Sequence, residues 1–337
     1  MKIFITSLCC SFLLLNSQMT AAETSNFDLK QAMHDLVYQS DQTATEIAGL
    51  QLVLVKNGQI IFEHAEGFAI INPDGSQTPL TIEHKVRVAS ISKFVLTLAF
   101  MSLVDSGQVD LDEDVSKYLG FSLLNPNFPK HKITVRQVLA HVSSIRDAGK
   151  YFLTLGENFQ DFFKPSKYYQ NSAHFASDTN QGPGDYFTYS NLNFGIIAGI
   201  IENVSGMRMD AFVKKMLFEP LHLDISFNVC DFSKDNYTNL ATLYRRGNGG
   251  DTWDVQGPWK SQVDSDTINC YYGGPHYQRK EIPDLSPLES YQIGKNPTLF
   301  SPQGGLRASA QDLAALMQVI INNSKNSAPS VGIKVIS

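Results

Sequence analysis

The chain has 337 residues, 43% of them hydrophobic and 18% charged, with a formal net charge of −6. That length and apolar content allow a large core, built as one two-lobed unit or two domains. The acidic balance argues against nucleic acid or an anionic membrane as partner.

The first 22 residues read as a secretory leader: Lys2, an apolar stretch from Ile3 to Leu15, then the small-residue pattern Thr20-Ala21-Ala22. The apolar run is shorter than the roughly 20 residues a membrane helix requires. A periplasmic or secreted product of residues 23–337, with no stable membrane span after cleavage, is expected. Cleavage removes Lys2, the only charge in 1–22, which takes the net charge from −6 to −7, and it also removes Cys9 and Cys10. Cys230 and Cys270 remain as an even pair in an exported chain, so a disulfide between them is expected.

Phe27 to Tyr38 carries Leu29, Met33, Leu36 and Val37 at helical spacing. Two apolar runs follow, Gly49 to Val55 and Gln59 to Ile71. They are joined at Lys56-Asn57-Gly58, where the Asn-Gly pair suits a tight hairpin turn. An alternating stretch with Val86 and Val88 then gives way to a helical run, Phe94 through Val104, that stops at Gly107. A turn-rich segment at 110–114 leads to 115–119, and a helix is expected over Thr134 to His141 with Thr134 as its cap. Residues 148–188 are aromatic-rich and irregular. Helices are expected over Leu192 to Val204, ending at Gly206, and over Met209 to Phe218, before Pro220. Residues 228–300, rich in Gly, Asn, Asp and Pro, read as long loops that either wall a site or decorate the surface.

Ser90-Ile91-Ser92-Lys93 is the only Ser-x-x-Lys in the chain, and it lies where strand pattern becomes helix pattern. Residues three apart share a helix face, so the Lys93 amine can reach the Ser90 hydroxyl. Serine is a weak nucleophile without a base beside it. Unpaired N–H groups at a helix start favour an oxyanion and disfavour a protonated lysine. A second constellation is Tyr189-Ser190-Asn191, where a tyrosine and an asparagine two apart can aim a phenol and a carboxamide at one substrate. Tyr169-Gln170-Asn171 and Tyr237-Thr238-Asn239 share the pattern. Only the first follows Pro183-Gly184-Asp185-Tyr186-Phe187-Thr188 and runs directly into a long apolar helix. The eight histidines are scattered, with no His-Glu-x-x-His, no Cys-x-x-Cys and no Gly-rich phosphate loop, so neither a metal nor a cofactor is expected.

These stretches resemble the serine β-lactamase and penicillin-binding-protein superfamily, in the branch of class C β-lactamases, D-stereospecific peptidases and family VIII esterases. The likeness rests on Val86 to Phe94, Leu111 to Leu119, Ile133 to His141, Pro183 to Asn191, Ile200 to Gly206, Phe218 to Leu221 and Gly304 to Leu313, all in family order. The resemblance implies an α+β fold: an antiparallel sheet flanked by helices, from 27–95 and 301–337, plus a largely helical lobe, 96–300. It implies acyl transfer, with Ser90 as nucleophile, Lys93 sharing a proton with Tyr189, Tyr189 as general base and acid, and Asn191 bonding the substrate. The Ser90 backbone N–H would give half of an oxyanion hole.

His141-Val142-Ser143-Ser144 stands where the family has His-Thr-Ser-Gly. His141 is read as fixing a loop, and Ser144 in place of glycine as altering that loop's backbone. Lys56-Asn57-Gly58 imitates the family's Lys-x-Gly triplet but precedes the nucleophile and is read as a turn. The family's third motif, a His-x-Gly or Lys-x-Gly on a strand beyond Gly-Gly-Leu, is not reached before Ser337. The expectation is therefore either a fragment of a longer sequence or a genuine truncation lacking half its oxyanion hole, with the sheet incomplete over the residues given. The expected function is an exported serine hydrolase acting on a small-molecule or peptide substrate: a β-lactam, a D-amino-acid peptide or a small ester. The alternative is a catalytically inactive relative that binds cell-wall peptide or a protein partner.

Overall fold

The computed structural model describes residues 28–38, 46–247, 254–263, 270–272, 276–280 and 285–323. The expected leader, 1–22, and the segment 324–337 lie outside them. The chain divides into two compact units, the first from 1–84 with 243–262, the second from 85–242 with 263–337.

In the first unit, helix α1 (28–38) buries Met33 and Val37 along one i,i+4 line, while Leu36, at the edge of that stripe, stays exposed. Strands β1 (Gly49–Lys56), β2 (Gln59–Ile71) and β3 (Gln77–Pro79) form an antiparallel sheet in that order. Lys56 pairs with Gln59 across the turn, and Asn57 (φ 53°) and Gly58 (φ 79°) both take left-handed conformations. Asparagine and glycine tolerate that geometry best, which is why the pair marks the hairpin. Within the expected long loop 228–300, Leu243–Arg246 pairs antiparallel with Trp259–Gln262. This ribbon belongs to the first unit: the Ile71 N–H donates to Tyr244 Oη at 2.8 Å, and Arg246 pairs with Glu46.

The second unit is mainly helical. Helix α2 (Ile91–Asp105) buries Val95, Leu96, Leu98, Ala99, Phe100 and Leu103 and packs on α3 (Leu192–Ser205). Helix α3 is buried from Leu192 to Glu202 on every face, as an almost wholly apolar helix must be. A Cβ at Gly195 would stand 2.9 Å from both the Phe159 ring and the Thr298 methyl, so only glycine lets this helix sit so deep. Gly206 (φ 69°) ends α3 in the left-handed conformation. Thr134 caps Val135–Leu139 in a reciprocal capping box with Gln137. That helix ends before His141, whose left-handed φ of 59° cannot continue it. Residues Met209–Val213 are α-helical, but Lys214–Phe218 widen into a π-helical turn, where one helix was expected.

Residues 85–95 and 301–323 both fall in the second unit, where they pack together. Val86–Arg87 pairs antiparallel with Arg307–Ala308, Val88 N–H donates to the Leu306 carbonyl at 2.9 Å, and Leu306 N–H donates to Ser92 Oγ at 3.1 Å. Helix α4 (Ala310–Asn323) follows, its start capped by Asp312, which accepts from Ser309 N–H and Oγ at 2.7 Å each and from Lys85 Nζ at 2.6 Å. Among the described residues no helix is long and apolar enough to cross a membrane.

Candidate active site

Ser90 occupies the N-cap of α2, and its hydroxyl caps no backbone N–H, which leaves it available for other partners. It follows Ala89, held at φ 45°, a conformation that side-chain-bearing residues adopt at a cost. Ser90 Oγ accepts from Tyr189 Oη at 2.7 Å and lies 3.2 Å from Lys93 Nζ. Lys93 is buried; its Nζ also donates to Asn191 Oδ1 at 2.8 Å and to the Gln303 carbonyl at 2.7 Å. Both of those oxygens are pure acceptors, so they consume two N–H bonds. The third position of the amine then faces Ser90, with a proton if charged and with a lone pair if neutral. The four residues singled out in the sequence thus meet at one point. Lys93 reaches Tyr189 through Ser90 and across the face of its ring, 4.8 Å from the centroid.

The Tyr189–Asn191 loop is held by residues the sequence did not single out. Asp147 Oδ1 accepts from Ser190 Oγ at 2.9 Å and from Leu192 N–H at 3.0 Å. Its Oδ2 accepts from Asn191 N–H at 2.8 Å and Asn191 Nδ2 at 2.9 Å. One carboxylate therefore caps α3, where helix N–H groups favour negative charge, and orients the Asn191 amide so that its oxygen points at Lys93. Nothing local distinguishes Asp147 from the other aspartates of the chain. His141 Nδ1 accepts from Ser190 N–H at 3.2 Å, and its ring lies 4.6 Å from that of Tyr189. Burial and then the charge of Lys93 lower its pKa, against the pull of Asp147. The imidazole is neutral at pH 7, with Nδ1 as acceptor, and it fixes the loop. Ser144 adopts φ 65°, the glycine-type conformation, while its Oγ accepts from Asn125 Nδ2 at 3.0 Å. The loop keeps its left-handed residue despite the side chain.

Ser90, Tyr189 and Asn191 open onto a cavity of about 570 Å³. Tyr151, Phe152 and Phe300 supply apolar wall, Asn228, Gln303 and Arg307 polar wall. Burial, and then the neighbouring Arg87, push Arg307 down to about 9. Cys230 and Cys270 form a disulfide, Cα atoms 5.7 Å apart, that makes up part of the same wall. Among the described residues no group of three or more His, Cys, Asp or Glu is placed to hold a metal ion.

A hydroxyl at a helix start, sharing its oxygen between a buried lysine and a tyrosine from a second helix start, sets the frame for comparison with known proteins. The Beta-lactamase family pattern matches residues 31–332. The chain belongs to the Beta-lactamase family. Protein flp of Staphylococcus aureus (strain N315) is 26% identical over 196 residues, 57% of this chain and 37% of that protein. The match thus spans well under half the length of that relative. Among solved structures, EstCE1, a hydrolase with promiscuous acyltransferase activity, superposes with a TM-score of 0.58 at 21% identity, over 92% of this chain and 75% of that one. D-amino acid amidase from Ochrobactrum anthropi SV3 gives a TM-score of 0.58 at 17% identity, over 88% of this chain and 71% of the other. At those identities the likeness is one of fold, the β-lactamase/transpeptidase fold.

Proposed function

We propose that the protein is an exported serine hydrolase that forms an acyl-enzyme with amide or ester substrates. The observation that carries this reading is the placement of Ser90 Oγ 2.7 Å from Tyr189 Oη and 3.2 Å from Lys93 Nζ on the wall of one cavity. Ser90 Oγ attacks the substrate carbonyl, and its proton passes to the lone pair of Lys93 or to Tyr189 as phenolate. The Ser90 backbone N–H donates to the developing oxyanion, an interaction typically worth about 3–4 kcal/mol. Tyr189, at the cavity mouth, returns the proton to the leaving group. Water repeats the sequence in reverse to release the acid. Asn191, with its oxygen on Lys93 and one Nδ2 hydrogen on Asp147, has a second Nδ2 hydrogen for the substrate. Export is supported by the leader pattern at 1–22 and by the disulfide. Relatives described as a class C beta lactamase, a D-aminopeptidase and a hydrolase with promiscuous acyltransferase activity are in keeping with β-lactam, D-amino-acid peptide and small-ester substrates.

A fluorophosphonate probe tests the nucleophile: the adduct is expected on Ser90, and mapping it to Ser190, Ser309 or nowhere refutes the assignment. Ser90→Ala abolishes turnover. Nitrocefin, p-nitrophenyl esters and a D-Ala-D-Ala peptide assayed in parallel separate the three substrate classes.

A further inference from the structure

His174 is wholly buried and takes no part in the proton transfers at Ser90. The chain reaches it through Gln170, Asn171 and Ser172, at φ 46°, 52° and 64°, three left-handed conformations in succession that side-chain-bearing residues adopt at a cost. The ring closes that loop, with Nε2 3.1 Å from the Tyr168 carbonyl oxygen, and ties it to a second segment, with Nδ1 3.2 Å from the Arg146 carbonyl oxygen. The two backbones are joined there as well: Arg146 N–H donates to the His174 carbonyl and Ala176 N–H to the Ser144 carbonyl, each at 2.8 Å. Directly after Arg146 stands Asp147, whose carboxylate takes four hydrogen bonds from Ser190, Asn191 and Leu192.

Both partners of the ring are carbonyl oxygens, which only accept. A neutral imidazole has one N–H and makes one of these bonds; the imidazolium has two and makes both. Burial lowers the pKa of His174, against the pull of the two carbonyls and of Asp147, so the ring is neutral at pH 7. The other charged groups of the surrounding segments face elsewhere. The Arg146 guanidinium donates to the Ile145 carbonyl and to Gln181 Oε1, and Tyr168 Oη donates to Glu157, which is paired with Lys150 and Lys167. Phe162 packs edge-on against the imidazole, ring centroids 4.9 Å apart.

We propose that His174 is a positioning residue for the catalytic loop, a brace that sets the Asp147 carboxylate through the Arg146 carbonyl and is half made as imidazole and fully made as imidazolium. This rests on the acyl-enzyme reading above. Mild acid then aligns Asn191 and Tyr189 more firmly than neutral solution does.

The test measures kcat and KM for a p-nitrophenyl ester at about pH 8 and about pH 5, per Ser90 titrated with a fluorophosphonate, so that only folded molecules count. His174→Phe keeps an aromatic ring and has no donor; His174→Gln keeps a donor and carries no charge. The kcat of the unmodified protein is expected to exceed that of the Phe variant about threefold at the higher pH and about tenfold or more at the lower, with KM within about twofold throughout, and its lead over the Gln variant to grow across the same interval. In an Asp147→Asn background that growth should vanish. Ratios that do not change with pH, or growth that survives in Asp147→Asn, overturn the inference, because a histidine that only fills the core gives one of those results. A second measurement needs no variant at position 174: in Ser90→Ala protein labelled with nitrogen-15 histidine and asparagine, acidification should bring up the second N–H of His174 and shift the side-chain amide of Asn191 with the same midpoint. An Asn191 amide that does not follow His174 also overturns the inference. If no ester is turned over but the two signals move together, the brace stands and the hydrolase reading falls. If Ser90 is labelled and esters are cleaved with a flat ratio, the reverse is true.

Discussion

Asp147→Asn preserves shape while converting one carboxylate oxygen to an NH₂ group. Each oxygen of Asp147 accepts two hydrogens, from Ser190 Oγ and Leu192 N–H on one side and from the two nitrogens of Asn191 on the other. Whichever oxygen is replaced, two donors then face a third. An unmade bond costs about 1–3 kcal/mol, and access of water to this half-buried site brings the sum to about 2–4 kcal/mol of stability. The kinetic effect follows a different route. With Asp147 holding Nδ2, Asn191 must turn Oδ1 to Lys93; once that restraint is gone the amide can flip and set N–H against the amine. Losing one such hydrogen bond corresponds to about 10–100-fold in kcat, at about 1.4 kcal/mol per decade. Ester hydrolysis gives kcat and KM, and urea unfolding gives stability. The decisive comparison is made in an Asn191→Ala background, where Asp147→Asn should lower kcat no further although it still destabilises. An undiminished fall in kcat in that background would show that Asp147 does not act through Asn191, and a single variant with kcat within threefold and an unmoved midpoint would remove its role altogether.

Tyr189→Phe deletes the 2.7 Å hydrogen bond to Ser90 at an exposed position, so kcat should fall by about 10²–10⁴-fold with melting temperature almost unchanged; activity within threefold would move the base elsewhere. Reducing the disulfide, whose cysteines are 40 residues apart, should cost about 4 kcal/mol in the chain-entropy picture, visible as a lower urea midpoint in the presence of a dithiol; an unchanged midpoint counts against it. Glu202, buried on α3, is raised to about 7, burial outweighing the hydrogen bonds from Gly294, Tyr291 and Met209. Its folded form holds a proton that the unfolded form has released, so stability declines as pH rises from about 4.5 to about 7 and levels off above, by at most about 3 kcal/mol. Melting curves across that range should flatten in Glu202→Gln, and an identical slope in the variant would refute the assignment.

Local rules carried the sequence far where the determinant is local. Asn57-Gly58 names its own turn, Gly206 its own helix end, and the three-residue spacing from Ser90 to Lys93 is a helical turn in any fold. The same rules blur where periods compete: ten residues from Met209 to Phe218 cannot distinguish an α-helix from one that widens to a π-turn. Pairing across distance is invisible to them. Nothing near Leu243 announces that it will face Gln262 and join the first unit, and Asp147 and Gln303 matter only because Asn191 and Lys93, 44 and 210 residues away, arrive beside them. His141 was legible as a loop anchor from its motif, but the acceptor role of its Nδ1 required the Ser190 N–H to be placed.

The buried amine of Lys93 has a consequence for how this protein comes into being. Its partners lie 3, 98 and 210 residues along the chain, so the interaction set closes only when segments from most of the second unit have converged. Long-range contacts of this kind are the last to repay the entropy of loop closure. On the proposed hydrolase reading, a nascent or partly collapsed chain would carry Ser90 as an ordinary alcohol, and reactivity would switch on with completion of folding. Titration of the serine would then count finished molecules, a direct clock for the maturation of the chain.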